Sequence, residues 1–382
     1  MKKNRAQRIL VLLYGDITFD GRVKRMLEIA ATGGSVMLLD ASDQSICAPI
    51  AFASEHERVV LSRAWGTARR HISFWLRCLS VARRYKPDVV FAEDFFTTIP
   101  GYLSARIARA RLVYDAHELI VSEEVGLAAL RRRFWYYLER FAVQRCSLVI
   151  AASPERAEIM REHYGLSVPL TYMRNIPFYS ERTVPVSHEL CCSCSFLIKS
   201  DSADKIIIYQ GAMSLRRGIG RFVEAMNFLP PNYRLILVGD GPDLDSIRKM
   251  GSRIQEQSRF AAVGRVGNEQ LAAITAVCDV GVVSYPYTGL NNVYCAPNKI
   301  YEYAQAGVPI VATNQPPLEA LFKAYAIGET ISESDSAEEV AKKIQSIAER
   351  NDWRNELDRF ISENSPDLEF SRVAEAIAKV IN

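Results

Sequence analysis

Strand-like apolar segments alternate with helical segments along most of this chain, and the alternation is broken once. The first series runs from RILVLLY (8–14) to SLVIAAS (147–153), and the second begins at KIIIYQGAM (205–213). Between them, residues 177–204 carry prolines, many serines and clustered cysteines, a composition typical of a loop or linker. Alternating strands and helices are typical of a parallel, doubly wound sheet. The pattern therefore predicts an α/β chain with two βαβ domains.

The domain boundaries follow from this break. We predict a first domain over residues 1–180, a linker or insertion over 181–204 and a second domain over 205–364. The length of 382 residues suits two domains of roughly 150–200 residues each. Ligands of such folds bind at the carboxyl ends of the strands, so we expect a site in a central cleft between the domains.

The composition is that of an ordinary globular protein, with 49% hydrophobic and 24% charged residues. No apolar run approaches the roughly 20 residues that a membrane-spanning helix needs. The apolar run Ile9–Leu13 is shorter than the core of a signal peptide and fits a buried first strand. These features predict a cytoplasmic protein.

The cysteines raise the question of a metal site. The chain has eight, and Cys191, Cys192 and Cys194 cluster near His188. Adjacent cysteines fit no common zinc module, and no second ligand pair follows at a standard distance. We therefore favour free thiols in a loop and predict no metal.

Charge is distributed unevenly along the chain. Residues 1–182 hold 27 Lys and Arg against 19 Asp and Glu, whereas residues 183–382 hold 20 against 25. The basic first half suits an anionic partner, such as a membrane surface or a phosphate-bearing acceptor, and equally suits a solvated surface. We see no recognised nucleic-acid-binding motif and predict no nucleic-acid partner.

The segment YQGAMSLRRGIG (209–220) contains the first candidate site of the second half. Gly211 allows a sharp turn directly after a buried strand. Arg216 and Arg217 then precede or begin a helix, whose free N–H groups and guanidinium neighbours can bind a diphosphate. In DLD (243–245), we interpret the acids as capping a helix start rather than binding a metal.

The segment NKIYEYAQAGVPIVATN (298–314) contains the second candidate site. Pro297 suits the first position of a helix, and the polar loop before it can surround an anion. Lys299 and Glu302 lie one turn apart on the same helix face. Glu302 could accept hydrogen bonds from the hydroxyls of a ribose, or it could form a surface ion pair with Lys299, and the spacing alone favours neither.

These motifs occur together in an order that resembles the donor domain of the retaining GT-B glycosyltransferases, the large family 4 or group 1. The quoted matches are YQGAMSLRRGI, LVGDGP, VGRVGNEQLAAITAVCDVGVVSYP and PNKIYEYAQAGVPIVAT. The first half resembles the family more loosely, in LLYGDITFDGRVKRMLEIAATGGSVMLL, LVYDAHEL and MRNIP. The resemblance implies a GT-B fold of two Rossmann-like domains, with a C-terminal helix at about 365–382 that completes the first.

The resemblance also assigns site residues by position. It implies that Glu302 binds the ribose, that Arg217 contacts the diphosphate and that His117 lies near the transferred sugar, and we take these three as catalytic. The predicted donor contacts are Asp16, Arg22, Gly211, Arg217, Val263, Gly264, Asn298, Lys299, Ile300 and Glu302. The chain departs from the family at two positions, with Tyr294 where many members carry a glutamate and Ala212 where an arginine is usual.

The activity implied by the resemblance is retaining transfer of a hexose. The donor would be a UDP- or GDP-linked sugar, and the acceptor a hydroxyl of a glycan or lipid-linked glycan in bacterial surface-polysaccharide assembly. Arg217 and the helix start before Ile300 can stabilise the leaving diphosphate without a metal or further cofactor. A sugar-nucleotide epimerase and a non-catalytic GT-B partner subunit are the alternatives.

Two basic, aromatic stretches of the first half bear on the acceptor. They are RRHISFWLRCLSVARRYK (69–86) and LRRRFWYYLERF (130–141). Arginines beside aromatic residues suit peripheral contact with the inner membrane surface. Core helices with solvated arginines would give the same pattern.

Overall fold

The computed structural model describes residues 6–44, 49–62, 64–120, 127–177, 185–187, 204–254 and 256–381. The chain divides into two compact units, one of Met1–Asn175 with Asp367–Asn382 and the other of Ile176–Pro366. The cysteine cluster with His188 and most of the predicted linker lie outside the described residues. No helix among the described residues is long and apolar enough to cross a membrane.

The described strands of the first unit form a seven-stranded parallel sheet. Its order is β3-β2-β1-β4-β5-β6-β7, so the chain changes direction across the sheet between β1 and β4. The central strands are almost wholly buried, as is typical of a parallel sheet with both faces covered. The strands are β1 (Gln7–Leu13), β2 (Gly34–Ser42), β3 (Glu55–Val60), β4 (Val89–Glu93), β5 (Arg111–Asp115), β6 (Leu148–Ala151) and β7 (Leu170–Tyr172).

The first unit is completed by the C-terminal end of the chain. Val373 and Ile377 are buried in the same hydrophobic core as Ile9, and Arg174 forms an ion pair of 2.6 Å with Glu369. The helices of this unit are α1 (Gly21–Gly33), α2 (Thr67–Tyr85), α3 (Thr98–Ala108), α4 (Leu127–Val143), α5 (Pro154–Tyr164) and α14 (Pro366–Ile381).

The second unit repeats the same architecture with a six-stranded parallel sheet of order β10-β9-β8-β11-β12-β13. Its strands are β8 (Lys205–Gln210), β9 (Tyr233–Val238), β10 (Phe260–Val263), β11 (Val280–Val283), β12 (Ile310–Thr313) and β13 (Gly328–Ile331). Its helices are α6 (Ile219–Ala225), α7 (Leu244–Gly251), α8 (Asn268–Ala276), α9 (Leu290–Val293), α10 (Lys299–Gln305), α11 (Pro316–Ala324), α12 (Ala337–Glu349) and α13 (Arg354–Glu363).

Several short elements have no counterpart in the sequence-based prediction. Strand β3 has the sequence EHERVV, whose charged residues hide the apolar signal of a strand. The helix start predicted at Arg216 and Arg217 is instead a 3-10 turn, Leu215–Arg217, followed by α6. Gly218 separates the two because its φ of 75° is left-handed and interrupts the helix.

Candidate functional site

A cavity of about 410 Å³ opens in the second unit at the carboxyl end of β8. Predicted site residues from two separate motifs, SLRRG and PNKIYEY, meet around it. Its lining consists of Gln210, Gly211, Ala212, Arg217, Leu271, Tyr285, Ala296, Pro297, Asn298, Lys299 and Glu302. A cavity of this size is within the range of small-molecule sites.

Beside the cavity, the backbone turns that follow β8 and β9 approach each other closely. Gly211 follows β8 with a φ of 130°, and Gly239 follows β9 with a φ of 145°. A Cβ on Gly239 would lie 1.9 Å from the carbonyl oxygen of Gly211, and a Cβ on Gly211 would lie 2.9 Å from the Lys299 side chain. Glycine is therefore required at both positions, in agreement with the turn predicted at Gly211.

Lys299 points its ammonium group into this cavity. The Nζ atom is buried and has no hydrogen-bond partner, and it lies 4.3 Å from the ring centroid of Tyr209. Burial, reinforced by the positive charge of Arg217, lowers the pKa of Lys299 to about 7. A buried amine without a partner is unfavourable, so this position is suited to an anionic ligand.

Glu302 is held by neighbours rather than by Lys299. Its Oε2 accepts a hydrogen bond from the side-chain amide of Gln210, and the carbonyl of that amide accepts from the Thr275 hydroxyl at 3.1 Å. Burial raises the pKa of Glu302, against the influence of Lys299 and of Gln210. Glu302 is therefore a fixed, partly buried acceptor, and the surface ion pair considered from the sequence is not the arrangement observed.

Arg217 lies on a turn that is anchored at both ends. The Asp243 carboxylate accepts a hydrogen bond of 2.8 Å from the Leu215 amide, and the Ser284 hydroxyl donates to the Arg217 carbonyl. The guanidinium lies 5.0 Å from the Tyr285 ring centroid. Asp243 precedes α7 as predicted, but its side chain fixes the Arg217 turn instead of capping its own helix.

The remaining predicted donor contacts of the second unit are distributed around this edge. Asn298 is exposed at the start of α10 and lines the cavity, whereas the Ile300 side chain is only 3% exposed and belongs to the core. Val263 ends β10, and Gly264 follows it with open space around its Cα. Neither lines the cavity itself, because β10 is separated from β8 by β9.

The first unit brings four charged groups together at the carboxyl ends of β4 and β5. Glu93 and Asp115 are direct neighbours in the parallel register of these strands. Arg22 binds Asp115 through two hydrogen bonds, of 2.6 and 2.8 Å. His117 Nε2 lies 3.4 Å from an oxygen of Glu93 and 3.4 Å from an oxygen of Asp115. We call these four residues the β4–β5 cluster.

Arg22, a predicted donor contact, is buried within the first unit. It is the second residue of α1 and only 6% exposed, and its guanidinium also donates to the Met173 carbonyl and to Asn175. All of these acceptors belong to the first unit. In this position Arg22 orients Asp115 and does not present its guanidinium to a ligand.

The protonation states within the β4–β5 cluster differ strongly. Burial and the neighbouring charge of Asp115 raise the pKa of Glu93. Burial opposes the charged form of Asp115, yet Arg22 holds its pKa well below the usual range. Burial opposes the charged form of His117 as well, but hydrogen bonds to Asp115 and Glu93 raise its pKa.

By distance alone, Glu93, Asp115 and His117 could ligate a metal ion. The Arg22 guanidinium already neutralises Asp115 and occupies both of its oxygens. A divalent ion would therefore have to compete with a buried cation, and the cluster is better suited to hydrogen bonding than to metal binding.

Asp94, directly after β4, has a strained backbone. Its φ of 64° and ψ of 167° are unusual for a residue other than glycine. Its Oδ1 is buried without a hydrogen-bond partner, and burial raises the pKa of the carboxyl group. Strain of this kind is concentrated at functional sites, which makes Asp94 a further candidate beside the β4–β5 cluster.

Asp16, a predicted donor contact, is bound within its own unit. Its carboxylate accepts hydrogen bonds from Arg58 at 2.9 Å and from the hydroxyl of Ser42 at 2.9 Å. It also caps the short 3-10 helix Ile17–Phe19 through the amide of Thr18. These contacts fix the loop after β1, and a donor contact of Asp16 stays a prediction.

Sequence reasoning missed Gln210, Thr275, Tyr285, Glu93 and Asp94 as site residues. Gln210 and Glu93 are polar residues that end buried strands, and this position was the signal that could have identified them. Their partners could not be foreseen, because the pairing of Glu93 with Asp115 depends on the register between two strands.

Two protein-family models each match part of the chain. Residues 40–175 match the family model described as Glycosyltransferase Family 4, and residues 196–365 match that of Glycosyl transferases group 1. Glycogen synthase from Mycobacterium tuberculosis is 23% identical over 282 residues, which cover 70% of this chain and 61% of that protein. The chain thus matches less than two thirds of the length of this curated relative.

Solved structures of similar fold cover nearly the whole chain. Sucrose-phosphate synthase from Thermosynechococcus elongatus has a TM-score of 0.73 at 18% identity, covering 98% of this chain and 99% of that one. HepE from Anabaena, in complex with UDP and glucose, has a TM-score of 0.67 at 19% identity with the same coverage. WaaG, involved in lipopolysaccharide biosynthesis, has a TM-score of 0.67 at 16% identity, covering 96% and 98%. These similarities confirm the predicted fold class.

Proposed function

Because this chain carries a family 4 domain and a group 1 domain of the GT-B glycosyltransferases, we propose that it transfers a sugar from a nucleoside-diphosphate sugar to a hydroxyl group. The proposed donor is a UDP- or GDP-linked hexose. The proposed acceptor is a glycan or lipid-linked glycan of bacterial surface polysaccharide. Support comes from HepE, solved with UDP and glucose, and from WaaG, involved in lipopolysaccharide biosynthesis.

The observation that carries this proposal is the pairing of cations and an acid around the cavity of the second unit. Arg217 and the partnerless Lys299 ammonium supply positive charge for a diphosphate. Glu302, oriented by Gln210, supplies an acceptor for ribose hydroxyls. A nucleoside diphosphate contains both of these groups, linked to each other.

In the proposed reaction the bond between the anomeric carbon and the diphosphate breaks. Negative charge develops on the departing diphosphate, where Arg217 and Lys299 stabilise it without a metal or further cofactor. The oxygen of the acceptor hydroxyl forms the new bond to the anomeric carbon on the same face of the sugar, so the anomeric configuration is retained. The proton of that hydroxyl passes to the departing diphosphate. The motifs of the donor domain are those of retaining enzymes, which supports this stereochemistry.

His117 is the proposed contact of the first unit with the transferred sugar. Its side chain remains 18% exposed, whereas the carboxylates beside it are fully buried. A partly exposed histidine whose ring is held by buried carboxylates can donate a hydrogen bond to a ligand while its own orientation is fixed. This arrangement supports the role that the motif LVYDAHEL implies.

A panel of nucleotide sugars tests the proposal. Wild-type protein and the Glu302→Ala and Lys299→Met variants would be titrated calorimetrically with UDP-, GDP-, ADP- and dTDP-linked sugars. We expect one nucleotide to bind the wild type and to lose at least about tenfold in affinity in each variant, since each removes one charged contact. Glu224→Ala, an exposed acid on α6, is the matched control and should bind like the wild type.

Different outcomes separate the alternatives. Turnover of the bound nucleotide sugar without any acceptor would favour the epimerase. Binding without turnover, with every acceptor offered, would favour a non-catalytic partner subunit. Equal binding by the wild type and both variants would contradict the assignment of this cavity as the donor site.

The exposed face of α4 supports an acceptor located at a membrane. Leu130, Phe134, Tyr137 and Phe141 recur at helical spacing and are 43–63% exposed. Arg133 and Arg145 are exposed on or beside the same helix, and the Arg145 guanidinium stacks over Phe141 at 3.9 Å. Exposed apolar residues flanked by arginines suit an anionic lipid surface. We therefore propose a cytoplasmic protein in peripheral contact with the inner membrane surface.

Vesicle sedimentation tests this contact. The Phe134→Ser and Tyr137→Ser double variant should lose binding to phosphatidylglycerol vesicles that the wild type retains. Phe228→Ser is the matched control, because Phe228 is 54% exposed in the second unit. Equal binding to vesicles of neutral phosphatidylcholine would contradict the role of the arginines.

A further inference from the structure

Glu93 has no assigned role, although it is a fully buried acid next to His117. Its side chain is 0% exposed, and its Oε1 has no hydrogen-bond partner. Its other oxygen faces His117 Nε2 at 3.4 Å. A carboxyl group in this position either carries a proton or requires a cation beside it.

The charged residues near Glu93 lie on several different elements of the first unit. Arg22 from α1 is bound to Asp115 of β5, and these two charges neutralise each other. Asp94 follows on the same strand end, and Glu118 follows His117. Arg156 from α5 donates to the His117 backbone carbonyl at 2.9 Å and so contacts the backbone of His117. After Arg22 and Asp115 are paired, the His117 ring is the group left to compensate Glu93.

From this geometry we propose that Glu93 is a positioning residue that shares protons with His117 and holds them on the Nε2 side of the ring. Among the described residues, both polar contacts of the ring are made by Nε2. The Nδ1 atom is thereby left for the transferred sugar. This inference rests on the proposed function, because the ligand at Nδ1 is the sugar of the donor.

The direction of the effect follows from the charges. Deprotonated Glu93 stabilises the imidazolium, which is consistent with the raised pKa of His117. The imidazolium in turn opposes the rise in the Glu93 pKa that burial and Asp115 cause. Glutamine at position 93 keeps the size of the side chain and removes its charge. His117 of the Glu93→Gln variant must then lose its proton at a lower pH, because Asp115 alone remains beside it and is already paired with Arg22.

The experiment is an NMR titration of the five histidine rings in the full-length wild type and in Glu93→Gln. The His117 signal is assigned by its loss in His117→Asn. We expect the Glu93→Gln variant to lower the pKa of His117 by about one pH unit or more. Glu139→Gln is the control, because Glu139 is a buried acid of the same unit that accepts from Tyr114 and Tyr164 instead. It should leave the His117 titration unchanged.

A second readout separates positioning from structure. The alkaline limb of the pH profile of kcat/KM should shift in Glu93→Gln by the same amount as the His117 titration. An unchanged His117 pKa would overturn the proposal, and so would a shifted titration with an unchanged pH profile. If the wild type turns over no nucleotide sugar, the proposed function fails, while the NMR titration still decides whether Glu93 and His117 share protons.

Discussion

The two units have similar sheets but very different charged groups at the carboxyl ends of their strands. In the first unit, Arg22 and Asp115 are buried and bonded to each other, with Glu93 and His117 beside them. In the second unit, Lys299 is buried without a hydrogen-bond partner next to Arg217, and a cavity of about 410 Å³ remains open. The main ion pair of the first unit is thus formed without a ligand, whereas the Lys299 ammonium group of the second unit has no hydrogen-bond partner.

This difference indicates how each unit contributes to binding. A buried ion pair is organised during folding, so the β4–β5 cluster can hold His117 in place before any substrate arrives. The Lys299 ammonium group is buried without a hydrogen-bond partner, so the proposed diphosphate would relieve an unfavourable arrangement in the second unit. Changes in the first cluster should therefore affect stability most, and changes in the second should affect affinity most.

The largest expected effect is on stability and comes from Arg22→Met. This change leaves Asp115 charged and buried beside Glu93, with only the 3.4 Å contact of His117 to compensate it. We therefore expect the free energy of unfolding to fall by about 3–5 kcal/mol near neutral pH. The wild-type pKa of Asp115 is lowered by Arg22, so the stabilisation is present above the unfolded-state pKa of about 4 and is lost as the pH falls further. The difference between variant and wild type should therefore shrink in acid. Chemical denaturation at several pH values measures it.

Arg106→Met is the control for this change, because Arg106 is an exposed arginine of α3 in the same unit. An exposed charge contributes little, and we expect a loss below about 1 kcal/mol. A similar loss in both variants would show that the buried pair is not what distinguishes the first unit.

The next effect is on affinity and concerns Lys299. Its pKa of about 7 in the free protein must rise when a diphosphate binds, because the anion favours the charged amine. Below about pH 7 the amine is already charged and affinity should be constant. Above that pH, binding must take up a proton, so affinity should fall by up to about tenfold for each pH unit. Calorimetry with a nucleotide sugar in buffers of different ionisation enthalpy measures the proton uptake.

A nucleotide sugar is the suitable ligand here, since it lacks the terminal phosphate that itself titrates near pH 6. Lys299→Met should abolish the pH dependence together with most of the affinity. If the wild type binds the nucleotide sugar equally well from about pH 7 to pH 9, Lys299 does not contact the diphosphate. The proposed difference between the charged groups of the two units would then be wrong.

The sequence was sufficient to bring the residues of the second unit together. Gly211, Arg217, Lys299 and Glu302 belong to two motifs some 80 residues apart, and the parallel topology necessarily places strand ends and the following helix starts at one edge. The structure places all four around one cavity, although their roles as ligands stay a prediction. In this unit, the local motifs and the sheet topology together predicted that these four residues lie near one another.

The first unit could not be predicted in the same way, for two physical reasons. The pairing of Glu93 with Asp115 depends on the register of β4 against β5, and a slip of one residue would turn either side chain to the opposite face. Arg22 reaches Asp115 from a helix 93 residues earlier in the chain, so its local sequence gave no sign of this buried ion pair. The backbone of Asp94, with a φ of 64° and a ψ of 167°, has no local signal, since the residue at this position is not glycine.

Asp94 offers the smallest and most specific test of the comparison. If the first unit is organised before any substrate binds, the backbone strain at Asp94 should be present in the free protein and should lower its stability. Asp94→Gly removes the steric conflict at a φ of 64° and also a buried carboxyl oxygen without a partner. Relief of the strain should exceed the entropy that glycine adds to the unfolded chain, so we expect a net gain of about 1 kcal/mol in the free energy of unfolding. Turnover should fall in the same variant.

Arg109→Gly is the matched control, because its φ of 56° and ψ of 37° lie in the ordinary left-handed region, where the relief should be smaller. Asp94→Asn, which keeps the strained backbone and removes only the charge, separates the two contributions in the same denaturation experiment. A destabilised Asp94→Gly variant would mean that this backbone conformation is held by favourable contacts of the side chain, and that the first unit is not strained in the absence of substrate.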